Sequence, residues 1–168
     1  MGLNVAPTIL QSSDCFNCRK CCKFDPDEVI DAPMFTPEQY LRAIAEFDIE
    51  GLRFEQRGAL YQVMLLDIPG SEKKICPFYD EVTTHCRIYA YEIFDCRTWP
   101  FYLMHKDGKV VMTLSQDCPI VNRQSIPHLT EYARKFIGPK MADMARQFPD
   151  FVTEYNGTAV VLFEVSDL

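Results

Sequence analysis

The 168-residue sequence has few glycines and no long apolar run, and these absences exclude several classes of protein. Its seven glycines include no G-x-G pair, so the chain has neither a dinucleotide-binding fingerprint nor a P-loop. The hydrolase motif G-x-S-x-G and the metalloprotease motif H-E-x-x-H are also absent. No stretch reaches the roughly 18 apolar residues that indicate a membrane-spanning helix. We therefore expect no membrane partner.

Basic residues are scarce as well: 17 lysines and arginines stand against 24 acidic residues, which gives a net charge of −7. Sequence-independent binding of nucleic acid requires a basic surface, so we expect no nucleic-acid partner. Residues 1–14, MGLNVAPTILQSSD, lack the basic start and apolar run of a secretory signal. The sequence is therefore interpreted as that of a soluble, cytoplasmic protein.

The length is typical of one domain, and we predict a single cysteine-cluster metal-binding domain over residues 1–168. Thr36-Pro37-Glu38-Gln39 predicts a helix start, because Thr36 can cap, Pro37 suits the first helical position and Gln39 can complete a capping box. The apolar face of this helix is predicted to contain Tyr40, Leu41, Ile44 and Phe47.

Strand and turn patterns dominate the rest of the chain. Alternating apolar residues around Gly58 predict two strands over residues 52–68, and Asp107-Gly108 predicts a second hairpin over residues 101–114. Two helices are predicted on either side of a break at Gly138-Pro139, followed by a turn at Asn156-Gly157 and a closing strand. We predict an α+β fold with a small antiparallel sheet, several helices and cysteine-bearing loops that form the metal site or sites.

Eight cysteines are more than a chain of this hydrophobicity needs for stability. In a reducing compartment, clustered cysteines are more often metal ligands or redox groups than disulfides. Cys15, Cys18 and Cys21 form a C-x2-C-x2-C run, the spacing that ferredoxins use for a cubane cluster. A zinc site more often takes two ligands from each of two short C-x2-C turns, so the run favours iron.

Cys22 directly follows Cys21, and adjacent side chains point to different faces of a helix or strand. We therefore expect Cys21 and Cys22 not to share one metal ion, but to serve two sites or two atoms of one cluster. The count of eight fits two four-sulfur sites, and it fits equally well one four-cysteine centre with four auxiliary thiols.

Basic residues are concentrated beside the cysteines, although the whole chain is acidic. Nearby cations lower the pKa of a thiol and offset the charge of a thiolate-bound metal. Ordinary solvated loop charges would give the same pattern. The basic residues within two positions of a cysteine are Arg19, Lys20, Lys23, Lys74, Arg87 and Arg97.

The segments CFNCRKCC, CPFY and CRIYAYEIFDCRTWPF together resemble the YkgJ-type cysteine-cluster family, whose C-x2-C-x2-C-C domain is described as chelating zinc or iron. The resemblance spans residues 15–119 with unmatched inserts. Two departures occur: Glu92-Ile93 stands where the family commonly has Arg-Pro, and Trp99 replaces a phenylalanine before Pro100. The resemblance implies metal binding by the full set of eight cysteines: Cys15, Cys18, Cys21, Cys22, Cys76, Cys86, Cys96 and Cys118.

Three hypotheses of function remain open at this point. The first is a cysteine-ligated metal-binding protein with a redox or regulatory role, whose cofactor is an iron–sulfur cluster, for example 4Fe-4S, or zinc, in one or two sites. The second is an enzyme, either redox or methyltransferase-like; a flagellin lysine methylase that carries a related cluster supports this by analogy only. The third is an interaction module in which structural zinc fixes the loops.

Overall fold

The computed structural model describes Cys18 and residues 20–165, and it confirms the α+β class. The chain forms two compact units, one spanning Arg19–Trp99 and the other including residues 100–165. The expectation of one metal-binding domain over residues 1–168 stays a prediction. Across the described residues, every helix is too short or too polar to cross a bilayer.

The Arg19–Trp99 unit is built from short antiparallel strands in three small sheets. One sheet has the order β1-β6-β5, the second β2-β4-β3, and β7 pairs with β8 alone. The hairpin predicted around Gly58 is confirmed as β3 and β4, and Gly58 has a φ of 57°. The strands are β1 (Lys23–Phe24), β2 (Met34–Phe35), β3 (Phe54–Arg57), β4 (Leu60–Val63), β5 (Leu66–Asp67), β6 (Lys74–Ile75), β7 (Tyr79–Asp80) and β8 (His85–Cys86).

Helix α1 (Pro37–Glu46) begins where the sequence predicts. The Thr36 hydroxyl accepts a hydrogen bond from the Gln39 backbone N–H, and the Gln39 side chain accepts one from the Thr36 N–H. The predicted apolar face is partly wrong, because Leu41 is 59 % and Ile44 46 % exposed. The face that packs on the core is formed instead by Tyr40, Ala43 and Phe47, which follow a spacing of i, i+3 and i+7.

Aromatic rings fill the core of this unit. Phe35 and Phe78 are fully buried, and Phe54 meets Phe35 edge-to-face with ring centroids 5.1 Å apart. Tyr40 of α1 stacks on Tyr61 of β4 at 4.0 Å. Such contacts attach the helix to the sheet and provide a rigid base for the cysteine-bearing turns.

The second unit is a four-stranded sheet, ordered β11-β9-β10-β12, that carries helices. Its strands are β9 (Phe101–Lys106), β10 (Lys109–Leu114), β11 (Thr153–Glu154) and β12 (Val160–Glu164). The predicted β9–β10 hairpin is confirmed, with positive φ at both Asp107 (51°) and Gly108 (76°), as a tight hairpin turn requires. All pairings are antiparallel except that of β11 with β9.

The helix break predicted at Gly138-Pro139 is wrong. Helix α2 (Phe94–Thr98) belongs to the first unit, whereas α3 (Ile126–Tyr132) and α4 (Gly138–Gln147) are joined in the second by a π-helical turn (Ala133–Ile137). The Gly138 N–H donates to the Ala133 carbonyl, five residues back. Pro139 has no N–H to donate, and the wider π-helical turn before it accommodates the missing hydrogen bond. The chain therefore remains helical.

Candidate metal centre

Backbone pairing brings the first cysteine segment to Cys76. Cys21 and Cys22 end a single 3₁₀ turn, Lys20–Cys22, which runs directly into β1. Strand β1 pairs with β6, and the ladder continues as the Cys76 N–H donates to the Cys22 carbonyl at 2.9 Å. Residues 54 positions apart in the sequence, Cys22 and Cys76, therefore lie side by side.

The turn after Cys76 directs backbone donors at its sulfur. The Phe78 N–H is directed at the Cys76 thiol, and the Tyr79 N–H, which donates to the Cys76 carbonyl at 2.9 Å, also acts on that thiol. Burial raises the pKa of Cys76 to about 12, although these donors act in the opposite direction because they stabilise the thiolate. The partial positive charges of these N–H groups would stabilise a metal-bound thiolate at a site that water does not reach.

Cys86 repeats this arrangement on β8. Tyr79 and Cys86 are directly paired across β7 and β8, so Cys86 lies beside the turn that follows Cys76. Burial raises the pKa of the Cys86 thiol, the Ile88 N–H bonded to its sulfur lowers it, Cys21 raises it and the charge of Arg97 lowers it. A metal cation bound here would stabilise the Cys86 thiolate, which burial disfavours.

Cys96 comes from α2, which Asp95 attaches to the sheet. The Asp95 carboxylate accepts a hydrogen bond from the Met34 N–H at 2.9 Å, and burial is the main cause that raises the pKa of Asp95 to about 6. The residue Cys96 is exposed, yet the surrounding protein desolvates its thiol, and this desolvation is the main cause that raises its pKa. Asp95, Cys76, Cys86 and Cys21 add to that increase.

Cys21, Cys76, Cys86 and Cys96 thus form a group, which we call the four-cysteine group. A thiolate at Cys76, Cys86 or Cys21 would raise the pKa of Cys96, and a thiolate at Cys21 would also raise the pKa of Cys76 and Cys86. Within residues 18 and 20–165, no three Cys, His, Asp or Glu side chains are arranged to hold a metal ion as they stand. No disulfide joins any of the described cysteines.

The expectation that Cys21 and Cys22 do not share one metal ion stays a prediction. The neighbouring Cys22 thiol is the largest cause of the raised pKa of Cys21, ahead of burial. Cys22 also lies beside Cys76, because its carbonyl accepts the Cys76 N–H at 2.9 Å.

The remaining predicted ligands are Cys15, Cys18, Cys22 and Cys118. Cys15 lies outside the described residues, and Cys18 is half-buried. Cys118 is buried in the second unit, in a turn where its carbonyl accepts the Asn122 N–H at 3.1 Å. The set of eight ligands stays a prediction.

The basic residues beside the cysteines mostly pair with carboxylates, as solvated loop charges would. Lys20 binds Glu28 at 2.6 Å and Asp25 at 3.4 Å, while Lys23, Lys74 and Arg87 pair with Glu81, Asp67 and Asp80. Arg19 lies outside the described residues. The structure therefore gives these lysines a role in bracing the loops.

Arg97 differs from those residues because its charge acts on Cys86. Its guanidinium stacks 4.3 Å above the Tyr89 ring, donates to the Tyr89 carbonyl at 3.1 Å and lies 3.7 Å from the Glu92 carboxylate. Glu92 adopts a left-handed φ of 50°. The Glu92 that departs from the family pattern thus helps to hold the arginine that follows Cys96.

Sequence reasoning missed the backbone donors at Cys76 and Cys86. The Cys76-Pro77 pair was the available signal, since proline after a cysteine favours a tight turn that exposes the next N–H groups. It also missed the Tyr79 hydroxyl, which is buried and has no hydrogen-bond partner among the described residues. Asp117, which precedes Cys118, is part of a turn in which its carboxylate accepts from the Ser115 hydroxyl.

Comparison with known proteins supports the sequence resemblance. The model of the CxxCxxCC family, described as a "Putative zinc- or iron-chelating domain", matches residues 14–119, which is more than half of the chain. No curated protein and no solved structure matches. The matched range begins one residue before Cys15 and ends one residue after Cys118, so it contains all eight predicted ligands. The chain belongs to the CxxCxxCC family of zinc- or iron-chelating domains.

Proposed function

We propose that the four-cysteine group is the metal centre of this chain and that the other four cysteines are auxiliary thiols. The main support is that Cys21, Cys76, Cys86 and Cys96 come from four separate segments and yet lie close enough to shift the pKa values of one another's thiols. Metal-free, these thiols have raised pKa values and would repel one another as thiolates. A cation bound among them removes both costs, and its affinity includes the free energy of that relief.

The donor set fits zinc or iron. Four sulfurs are the ligands that suit zinc and iron in proteins. The N–H groups that point at Cys76 and Cys86 stabilise thiolates, which are the form that binds metal. Once bound, the metal would fix the turns around these sulfurs and give the centre a structural or regulatory role.

A single zinc ion is the occupant that we propose. Among the described cysteines of the C-x2-C-x2-C run, Cys21 is the one that acts on the other three members of the group, so each of four segments supplies one sulfur. Four separate sulfurs suit the four-coordinate geometry of a structural zinc site.

An iron–sulfur cluster with a redox role is the second candidate. Its support is the pair of Cys-Pro steps, at Cys76-Pro77 and Cys118-Pro119, since a Cys-Pro step also follows the ferredoxin cysteine run. An enzyme would need an open coordination position, and a centre closed by four thiolates leaves none.

Metal analysis with an absorption spectrum, on protein made and purified without air, tests this proposal. We expect stoichiometric zinc and no absorption in the visible range. Brown protein that contains iron and inorganic sulfide would show that the occupant is an iron–sulfur cluster and not zinc. The four-cysteine group would remain the proposed site. Protein that contains no metal and takes none up would reject the metal centre itself.

A further inference from the structure

An open groove in the second unit lies apart from the residues of the metal centre. Helix α3 packs on strand β12, and the groove follows the side of α3 into the π-helical turn, with a volume of about 590 Å³. A depression of this size is large enough to bind a ligand. It is lined by Ile126, Pro127, Thr130, Glu131, Arg134 and Lys135.

The groove is apolar at one end and cationic at the other. Its lining residues form two rows with a spacing of four, so they share one face of the helix. Ile126 and Pro127 begin the rows and are exposed, Ile126 to 42 %. Arg134 and Lys135 end the rows, roughly 12 Å farther along the helix. A ligand that fills the groove therefore combines an apolar group with negative charge.

The two cations are held in place without being neutralised. The Arg134 guanidinium lies 4.3 Å from the centre of the Phe163 ring on β12, and the Lys135 ammonium lies 5.4 Å from that of Phe136. Among the described residues, neither cation forms an ion pair, although Glu131 precedes them on the same face. Most other described lysines and arginines do have a carboxylate partner. Two fixed, unpaired charges favour an anionic ligand.

The backbone at the cationic end is unusual as well. Arg134 and Lys135 lie on the π-helical turn (Ala133–Ile137), and such turns are frequent at functional sites. A Cβ at Gly138 would lie only 3.0 Å from the carbonyl that begins this turn, so the glycine allows the turn to close. The sequence thus specifies the turn, which positions both cations before a partner binds.

We propose that this groove binds an acidic peptide segment of a partner protein. An apolar side chain of the peptide contacts Ile126 and Pro127, and carboxylates about four extended residues away pair with Arg134 and Lys135. The apolar end favours a peptide over nucleic acid, whose phosphates would need a longer row of cations. Binding here does not require the metal centre.

Fluorescence anisotropy on the full-length protein tests this surface, with labelled peptides that each carry one leucine and two aspartates at varied spacing. A spacing of about four residues should bind best, and asparagine in place of aspartate should weaken binding about tenfold. Arg134→Gln, Lys135→Gln and Ile126→Ser should each weaken binding by roughly two- to fivefold. Glu131→Gln should strengthen it, because it removes a negative charge from the groove. Lys140→Gln, which removes an exposed lysine outside the groove, is the matched control and should bind as wild type.

Circular dichroism checks that each variant is folded, and stronger binding by Glu131→Gln could not result from misfolding. The site is wrong if no acidic peptide binds, or if Lys140→Gln weakens binding as much as Arg134→Gln. The occupant is wrong if Arg134→Gln instead abolishes binding of a single-stranded oligonucleotide or of phosphatidylglycerol vesicles. Self-association in light scattering that Arg134→Gln abolishes would likewise replace the peptide by a second copy of the chain.

Discussion

At the scale of single residues, the centre depends on which charges reach the sulfurs. Neighbours in sequence proved a poor guide, because Lys20, Lys23 and Lys74 turn to carboxylates. Arg97 was indistinguishable from them in the sequence, yet the stack on Tyr89 holds its charge where it acts on Cys86. The direction of each basic side chain in the fold decides between the two roles, and the spacing of residues along the sequence does not encode that direction.

Arg97→Gln should therefore weaken metal binding. Loss of a group that orients or balances a metal ligand typically lowers affinity by about tenfold or more, and we expect roughly tenfold here. Arg87→Gln is the matched control, because Arg87 directly follows Cys86 but pairs with Asp80. Competition with a zinc-binding dye measures both affinities. Equal losses in the two variants would show that Arg97 has no special role.

At the scale of elements, short turns and caps hold the cysteine segments in place. Asp25 bridges Lys20 of the 3₁₀ turn and Lys73 ahead of β6, with a distance of 2.8 Å to Lys73. Glu28 supports the same turn by accepting the Asp25 N–H at 2.8 Å. These contacts lie between Cys22 and the strand that leads to Cys76.

Asp25→Asn should make the unfolding free energy less dependent on acid pH. The hydrogen bond and charge of Lys73, with those of Lys20, lower the pKa of Asp25 below its ordinary 3.8. The carboxylate thus stabilises the fold above pH 3.8, and this contribution is lost as the pH falls through the lower folded-state pKa. Urea unfolding with chelator should show a weaker variant at pH 7 and no difference from wild type at about pH 2.

Asp27→Asn is the control for this experiment, since Asp27 lies two residues after Asp25, on the 3₁₀ helix Pro26–Asp31, but forms no ion pair with another described residue. It should leave the difference between pH 7 and acid unchanged. An Asp25→Asn protein as stable as wild type at pH 7 would mean that the bridge contributes nothing.

Thr36→Ala should destabilise the Arg19–Trp99 unit by about 1 kcal/mol, because it leaves the Gln39 N–H of α1 without its capping acceptor. Thr36→Ser keeps the hydroxyl and should recover most of the loss. Urea unfolding followed by circular dichroism measures both. A Thr36→Ala protein with the same unfolding free energy as wild type would show that the capping box is not needed.

Local chemistry made these elements predictable, and tertiary packing made others unpredictable. The capping residues of α1 and the Asp-Gly turn of β9–β10 specify their own backbone conformations, so both were predicted from sequence. Leu41 and Ile44 were assigned to the wrong face because periodicity alone does not say where the rings of Phe47 and Tyr40 will pack.

At the scale of the whole molecule, the cysteine centre belongs to one of two compact units. The four-cysteine group lies in Arg19–Trp99, while the β9–β10 hairpin and helices α3 and α4 have their own buried residues, such as Leu103, Met112 and Met141. Folding of the second unit should therefore not require the metal.

Removal of the metal should loosen the first unit selectively. Hydrogen exchange with and without chelator should show faster exchange at the Cys76 and Arg87 amides, which bond to the Cys22 and Phe78 carbonyls. Amides of the β9–β10 ladder should keep their protection. Equal loss of protection in both regions would contradict independent stability of the second unit.

The most direct test of the central claim is the metal content of single cysteine variants purified without air. The account predicts that Cys86→Ser loses the metal, whereas Cys22→Ser keeps wild-type stoichiometry, although both residues belong to the family pattern. Folding of each variant is checked by circular dichroism with chelator present. If the two folded variants lose metal equally, or if Cys86→Ser retains it, the four-cysteine centre is wrong.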